Sequence, residues 1–144
     1  MQIRDVLKTK PSRVFSIHPE GTVAEAVRLM VDHNIGSLPV LDHASEIVGV
    51  FSERDVIRGV HKHGNDFLQY TIATVMTPNP VTCGADDDVH DAMRKMSDYR
   101  VAKLPVTAGR KLVGVVSVGD LNKLMTERLR EENGPLMTYL YGQV

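Results

Sequence analysis

The chain has 144 residues, 42% of them hydrophobic and 24% charged, which suits one compact domain with a real hydrophobic core. A formal net charge of −1 and 5% aromatic residues without tryptophan argue against a nucleic-acid surface, which needs clustered cations and stacking platforms. Its single cysteine excludes an internal disulfide framework, and no apolar run resembles a signal peptide or a membrane span. We therefore predict a cytoplasmic protein that is not embedded in a membrane.

The first predicted elements are a short strand over 14–17 and a helix that begins after Thr22. Glu25 follows Thr22 at the spacing of a capping box, and apolar residues recur afterwards at helical spacing. The residues of this apolar stripe are Val23, Ala26, Val27, Met30 and Val31. Two strands should follow, one at Leu38-Pro39-Val40 and one over 47–51. The second is an uninterrupted apolar run, which predicts burial on both faces of the sheet. Another helix should start at Ser52.

The same order of elements returns in the second half of the chain. Identical residues align at apolar, turn and polar positions once a single deletion is placed in the second loop. The aligned pairs are Val23/Val89, Ala26/Ala92, Met30/Met96, Leu38/Leu104, Pro39/Pro105, Val40/Val106, Val48/Val113, Gly49/Gly114, Val50/Val115, Ser52/Ser117 and Asp55/Asp120. The second copy also has a short strand candidate over 80–83 and a helix starting at Ser117. Two copies are too few for a solenoid, so we expect them to close on each other about a pseudo-twofold axis, with clefts between them.

The predicted fold class is therefore α+β, with two β-α-β-β-α repeats and two small sheets flanked by helices. We place the first repeat at 6–62, a connector at 63–80, the second repeat at 81–130 and a C-terminal extension at 131–144. A helix should continue from Leu121 until Gly134-Pro135 breaks it. The apolar tail over 136–141 should not be left in water, and it could pack on the same chain or on a second subunit.

For three groups of polar residues we prefer a structural interpretation to a functional one. Asp86, Asp87 and Asp88 precede a helix, where carboxylates complement the macrodipole, and nothing nearby completes a metal site. His61 and His63 lack a carboxylate or thiol partner, so we predict no metal there. Cys83 and His90 lack an orienting third residue, so we predict no catalytic residues.

The polar motif repeated most clearly is Ser-x-x-Asp, at Ser52 to Asp55 and at Ser117 to Asp120. After a strand, this spacing is typical of a helix N-cap with an acidic residue three positions later. A carboxylate at a strand-to-helix junction can also accept hydrogen bonds from the two hydroxyls of a ribose. Spacing alone leaves both interpretations open, and duplication of the motif favours a function.

The paired motifs Leu-Pro-Val with Val-Gly-Val-Phe-Ser-Glu-Arg-Asp-Val, and Leu-Pro-Val with Val-Gly-Val-Val-Ser-Val-Gly-Asp-Leu, resemble the cystathionine-β-synthase (CBS) domain. Two such domains in tandem are similar to a Bateman module, over roughly residues 6 to 130. The resemblance implies a regulatory module and not an enzyme. Its ligands would be adenosyl compounds: AMP, ADP, ATP, NAD(H) or S-adenosylmethionine.

The resemblance also implies which residues bind that ligand. Asp55 and Asp120 would hold the ribose hydroxyls, Ser52 and Ser117 would belong to the same binding sites, and Ser16 and Thr82 would lie beside the same ligand. The residues before and within Leu-Pro-Val would line the base pocket or reach the phosphates. They are Ile35, Gly36, Ser37 and Leu38 in the first repeat, and Val101, Ala102, Lys103 and Leu104 in the second.

The two sites should differ in charge. Arg100 and Lys103 stand where the first repeat has Asn34 and Ser37, whereas Arg54 has Gly119 as its counterpart. Phosphates, if bound, should lie near these three cations. For Arg100 alone, simple solvent exposure is the commoner outcome.

Two functions follow from these patterns. The first is a signal-transduction protein that senses an adenine nucleotide and relays its occupancy to an unknown protein partner. The alternative is a structural interaction module whose ligand sites are vestigial. We also predict a homodimer, because the resemblance implies dimers formed through the helices and because exposed apolar surface would otherwise remain.

Overall fold

A computed structural model of the chain describes residues 1–10 and 13–132. Its α-helices are α1 (Ile3–Leu7), α2 (Val23–Asp32), α3 (Glu53–His63), α4 (Ile72–Val75), α5 (Val89–Tyr99) and α6 (Val118–Glu132), with a 3-10 helix at Gly64–Gln69. Its strands are β1 (Ser37–Leu41), β2 (Ile47–Ser52), β3 (Thr77–Pro78), β4 (Cys83–Gly84), β5 (Lys103–Ala108) and β6 (Lys111–Ser117). The strands form two three-stranded sheets, in the orders β1-β2-β3 and β4-β5-β6. The predicted α+β class with two small sheets is confirmed.

The chain divides into two compact units. One contains residues 13–82 and 107–113, and the other contains the remaining described residues, including α1. The predicted helical tail beyond Glu132 and the apolar segment 136–141 lie outside the described residues.

In the unit of residues 13–82, α2 covers the first sheet as its periodicity predicted. Thr22 caps the helix by accepting a hydrogen bond from the backbone N–H of Glu25, at 3.2 Å. Val23, Ala26 and Met30 of the predicted stripe are buried. The buried residues of this core are Ile17, Val23, Ala26, Met30, Leu38, Val40, Phe51, Phe67 and Ile72.

The other unit repeats this pattern with α5 and α6. Asp88 caps α5 through a 2.7 Å hydrogen bond from the N–H of His90. The N-terminal segment joins this unit through the backbone, since Ile3 N–H donates to the carbonyl of Asp87 at 3.0 Å. Ile3 and Val6 of α1 are buried, so the first helix of the chain contributes to the core that the second repeat builds.

Burial on both faces of the second strand of each repeat was a wrong expectation. Residues of β2 alternate between buried and partly buried, and Val113 of β6 is 50% exposed. In the first sheet β2 pairs antiparallel with β1, and in such sheets one face packs on helices while the other can face solvent.

The predicted strand over 14–17 is reduced to one bridge, between Ile17 and Val40. Ile17 N–H donates to the carbonyl of Pro39 at 3.1 Å, and Leu41 N–H donates to the carbonyl of Ile17 at 2.9 Å. A longer parallel ladder would need an N–H from residue 39, which proline lacks. The third strand of the first sheet is instead β3, which pairs with β2. Of the candidate over 80–83, only Cys83 lies in a strand.

Candidate functional site

The first Ser-x-x-Asp motif forms a complete capping box at the junction of β2 and α3. Asp55 Oδ2 accepts hydrogen bonds from the backbone N–H of Ser52 at 2.9 Å and from its hydroxyl at 3.0 Å. The N–H of Asp55 donates in return to Ser52 Oγ at 3.3 Å. Both residues are only partly buried. The carboxylate is therefore fixed in orientation and still accessible to a ligand.

The second motif repeats this geometry at the junction of β6 and α6. Asp120 Oδ2 accepts from the N–H of Ser117 at 2.9 Å, and the N–H of Asp120 donates to Ser117 Oγ at 3.1 Å. This carboxylate has an additional partner, because Lys10 Nζ lies 2.6 Å from the same Oδ2. The two carboxylates are thus equivalent in the backbone and different in charge environment.

The ion pair with Lys10 changes the acidity of Asp120. Burial raises the pKa of the Asp120 carboxyl, but hydrogen bonds from Lys10 and Ser117 and the charge of Lys10 lower it by more. The net pKa lies below the usual value. Asp120 is accordingly a carboxylate at neutral pH, as an acceptor of ligand hydroxyls must be.

The loop before each Leu-Pro-Val is tied to the same junction by one repeated hydrogen bond. Glu53 N–H donates to the carbonyl of Gly36 at 2.9 Å, and Val118 N–H donates to that of Ala102 at 2.9 Å. In the first sheet Ser37 is also the direct cross-strand partner of Ser52. The structure therefore brings the predicted residues Gly36, Ser37, Ser52 and Asp55 together.

Ile35 and Gly36 also line a groove of about 590 Å³ between α2 and α3. Leu38 and Leu104 are fully buried, so in this state their side chains belong to the cores and only their backbones could meet a ligand. Ser16 precedes the Ile17 bridge, and Thr82 precedes β4; both are partly buried.

The predicted cations are accessible. Arg54 and Arg100 are exposed, and Lys103 is partly buried at the start of β5. Arg100 ends α5 in the left-handed conformation with φ 54°, and its counterpart Asn34 has φ 52°. Asparagine tolerates this conformation better than arginine does, so the second repeat keeps a cation at a position that disfavours it. Val101 and Ala102 follow Arg100 in the same loop.

Cys83, His61 and His63, for which we predicted no catalytic or metal-binding role, are either buried in the fold or exposed to solvent. Burial and the neighbouring charge of Asp87 raise the pKa of Cys83 to about 11, which keeps its thiol protonated and opposes a nucleophilic role. His61 and His63 are exposed at the end of α3. Within residues 1–10 and 13–132, no cluster of three or more His, Cys, Asp or Glu side chains could hold a metal ion.

Sequence reasoning missed two features near these sites. Lys10 is 110 positions from Asp120 in the chain, and no local pattern signals such a pair. Phe15, next to Ser16, stacks on His33 with ring centroids 3.6 Å apart, and the guanidinium of Arg13 lies 5.0 Å from the Phe15 ring. Both stacked residues were too isolated in sequence to attract notice.

Comparison with known proteins agrees with this duplicated geometry. The family model described as CBS domain matches the chain twice, over residues 3–62 and 72–127. The chain belongs to the CBS domain family. It is a tandem CBS pair, and its two matches correspond to the two repeats read from the sequence.

Solved CBS-pair structures have the same fold. A CBS-domain containing protein of Agrobacterium tumefaciens is 30% identical, with a TM-score of 0.79 over 85% of this chain and 91% of that one. The CBS domain pair of protein MJ0100, solved with 5'-methylthioadenosine and S-adenosyl-L-methionine, is 28% identical, with a TM-score of 0.76 over 89% and 98% of the two chains. Among curated proteins, the mitochondrial CBS domain-containing protein CBSX3 of Arabidopsis thaliana is 29% identical over 97% of this CBS pair and 72% of its own length.

None of the helices described for this CBS pair has the length and apolar character required to cross a bilayer.

Proposed function

We propose that this CBS pair is a regulatory module that binds an adenosyl ligand at the carboxylates of Asp55 and Asp120. The observation that carries the proposal is that both repeats contain the same feature, a capped and accessible carboxylate at a strand-to-helix junction. A helix cap needs only one oxygen of the side chain. Every hydrogen bond found on these two carboxylates ends on Oδ2, so among the described residues Oδ1 is left for other donors.

Such a carboxylate suits a ribose. The two vicinal hydroxyls of the sugar can donate to the two oxygens of one carboxylate, and hydrogen bonds to a charged acceptor are stronger than neutral ones. Ser16 and Thr82 would contribute further hydroxyls, and the loops at Gly36 and Ala102 would bound the base. A related CBS pair, that of MJ0100, was solved with two adenosyl compounds, which supports this class of ligand.

The cations make phosphorylated ligands the better candidates. Arg100 and Lys103 in the second repeat and Arg54 in the first could pair with phosphates of AMP, ADP, ATP or NAD(H). No catalytic cofactor is needed, because the proposed task is to bind and report and not to transform the ligand. Occupancy would be relayed to a protein partner in the cytoplasm, where these nucleotides are abundant.

A second copy of the chain is the first partner we propose. Val31 and Ile57 are 73% and 70% exposed, the highest values among large apolar side chains of the described residues. Both line the groove between α2 and α3. Apolar surface gathered in this way commonly marks an interface, and a twofold dimer would bury the same patch on both copies.

The alternative function, an interaction module with vestigial sites, also has an observation in its favour. Both carboxylates already accept a hydrogen bond from the backbone N–H of the N-cap serine, and Asp120 in addition has a cation partner. On this hypothesis the apolar groove is the functional surface and the carboxylates only stabilise the fold.

Native mass spectrometry of freshly purified protein, followed by calorimetric titration with AMP, ATP, NAD and S-adenosylmethionine, separates the two functions. The proposal predicts a retained or added adenosyl ligand and weaker binding of guanosine and cytidine nucleotides. Absence of binding across the panel at millimolar concentration would favour the interaction module.

A further inference from the structure

The ammonium of Lys10 lies directly on the second candidate carboxylate. Its Nζ is 2.6 Å from Asp120 Oδ2 and 2.7 Å from the backbone carbonyl of Val115. Both side chains are largely shielded, with 29% of Lys10 and 27% of Asp120 exposed. An ammonium has three donors, so Lys10 retains one beyond these two bonds.

The first repeat has no equivalent cation. Ile3 and Val6 of α1 correspond in order to Ile72 and Val75 of α4, although Val75 is only partly buried, and the same spacing makes Asn79 the counterpart of Lys10. The correspondence is also spatial. Leu7 lies over Gly114 of β6, 2.7 Å from where a Cβ would be, as Met76 lies over Gly49 of β2 at 2.5 Å. Among the described residues, no Lys or Arg forms an ion pair with Asp55.

We propose that Lys10 is a specificity-determining residue of the second site, which it reserves for phosphorylated adenosyl ligands. The inference rests on the proposed function, because it assumes that Asp120 receives a ribose. Of the two ribose hydroxyls, the one that donates to Oδ2 competes with Lys10 for that oxygen. A neutral nucleoside must break the ion pair without replacing it, whereas a nucleotide offers the displaced ammonium a phosphate.

The two sites therefore have different selectivities within one chain. At Asp55 a ribose meets a carboxylate that only its own cap engages, so ribose binding displaces no cation and a phosphate adds only what Arg54 contributes. At Asp120 a phosphate must in addition compensate Lys10 for the ion pair that the ribose breaks, so binding depends more strongly on phosphate there. If the Lys10 ammonium leaves Asp120 for a ligand phosphate, it also leaves the Val115 carbonyl. Ligand occupancy of the second site would then change the contacts of the segment that follows α1.

The test is calorimetric titration of Lys10→Met with adenosine and with AMP, in the Asp55→Asn background so that the second site dominates. Methionine keeps most of the side-chain length and removes the charge. Lys8→Met is the matched control, because Lys8 is an exposed lysine of the same segment and its loss changes net charge equally. Thermal unfolding of each variant verifies that it is folded.

We expect Lys10→Met to bind adenosine more tightly and AMP more weakly than the parent, which is the Asp55→Asn protein. The preference for AMP, measured as the Kd for adenosine divided by the Kd for AMP, should fall by about tenfold or more. Lys8→Met should leave the preference unchanged. A preference equal to the parent's in Lys10→Met, with both ligands still bound, would overturn the role of Lys10 and leave the proposed function standing. Failure of the wild-type protein to bind either ligand would contradict both.

Discussion

At the scale of single residues, the capping box and the proposed ribose acceptor use the same two aspartate side chains. Ser52 with Asp55, and Ser117 with Asp120, satisfy backbone donors at the starts of α3 and α6. A substitution at either Asp can therefore change stability, ligand affinity or both. Measurements that separate these two quantities are needed to assign a role.

The Lys10–Asp120 pair predicts a pH dependence of stability. Because the pKa of Asp120 is lowered in the folded protein, its contribution is present above the unfolded value of 3.8 and is lost as the pH falls below it. Urea unfolding should show Asp120→Asn less stable than wild type at pH 7, with the gap narrowing towards pH 3. An Asp120→Asn deficit that is equally large at both pH values would contradict this assignment.

Arg100 predicts an opposition between stability and ligand binding. Its left-handed backbone costs an arginine energy on the order of 1 kcal/mol, which asparagine largely avoids. Arg100→Asn should raise the free energy of unfolding and weaken the binding of ATP more than the binding of adenosine. Arg94→Asn, within α5, should instead lower stability through poorer helix propensity. No gain in stability for Arg100→Asn would show that this backbone is not strained.

At the scale of elements, α3 carries a glycine for packing reasons. Gly59 is buried, and a Cβ there would overlap the ring of Phe67, which is itself buried in the core. Alanine would gain about 1 kcal/mol of helix propensity and lose about 1–3 kcal/mol to overpacking. We expect Gly59→Ala to lower the melting temperature.

Gly119→Ala is the control for that substitution. Gly119 lies in the first turn of α6, and the nearest atom to its added Cβ would be Ser117 Oγ at 3.7 Å. Alanine there should raise the melting temperature, since propensity improves without a clash. Stabilisation by both substitutions would show that Phe67 moves aside easily.

The sequence predicts helices and caps well because their signals are local. The stripe from Val23 to Met30 and the cap at Thr22 lie within one short stretch, as does each Ser-x-x-Asp. Predictions failed where distant residues decide the outcome. Pro39 limits the strand at Ile17, and β3 completes the first sheet from the connector.

The same distinction between local signals and distant contacts applies to the candidate site. Asp55, Ser52, Ser37 and Gly36 lie close together because a hairpin and a cap hold them. Lys10 could not be foreseen, because its contact with Asp120 depends on the association of α1 with the second repeat. The ligand-binding roles of these residues stay predictions.

At the scale of the whole molecule, the exposed apolar residues of α2 and α3 predict association. Val31→Glu combined with Ile57→Glu should convert the proposed homodimer to a monomer, because each copy would bury charges in the shared interface. Light scattering at micromolar concentration measures the mass. Val113→Glu, at a 50% exposed position of β6 outside the groove, should leave the dimer intact. A wild-type protein of monomeric mass would refute the dimer.

The central claim, that two equivalent carboxylates bind an adenosyl ligand, is tested most directly by calorimetry on Asp55→Asn, Asp120→Asn and the double variant. Loss of a charge-assisted hydrogen bond of roughly 1.5–3 kcal/mol predicts a ten- to hundred-fold fall in AMP affinity at each altered site. The double variant, with both sites weakened, should bind little AMP at concentrations that half-saturate wild type. If all three variants bind AMP as wild type does while melting at lower temperatures, the two aspartates are helix caps alone and the account is wrong.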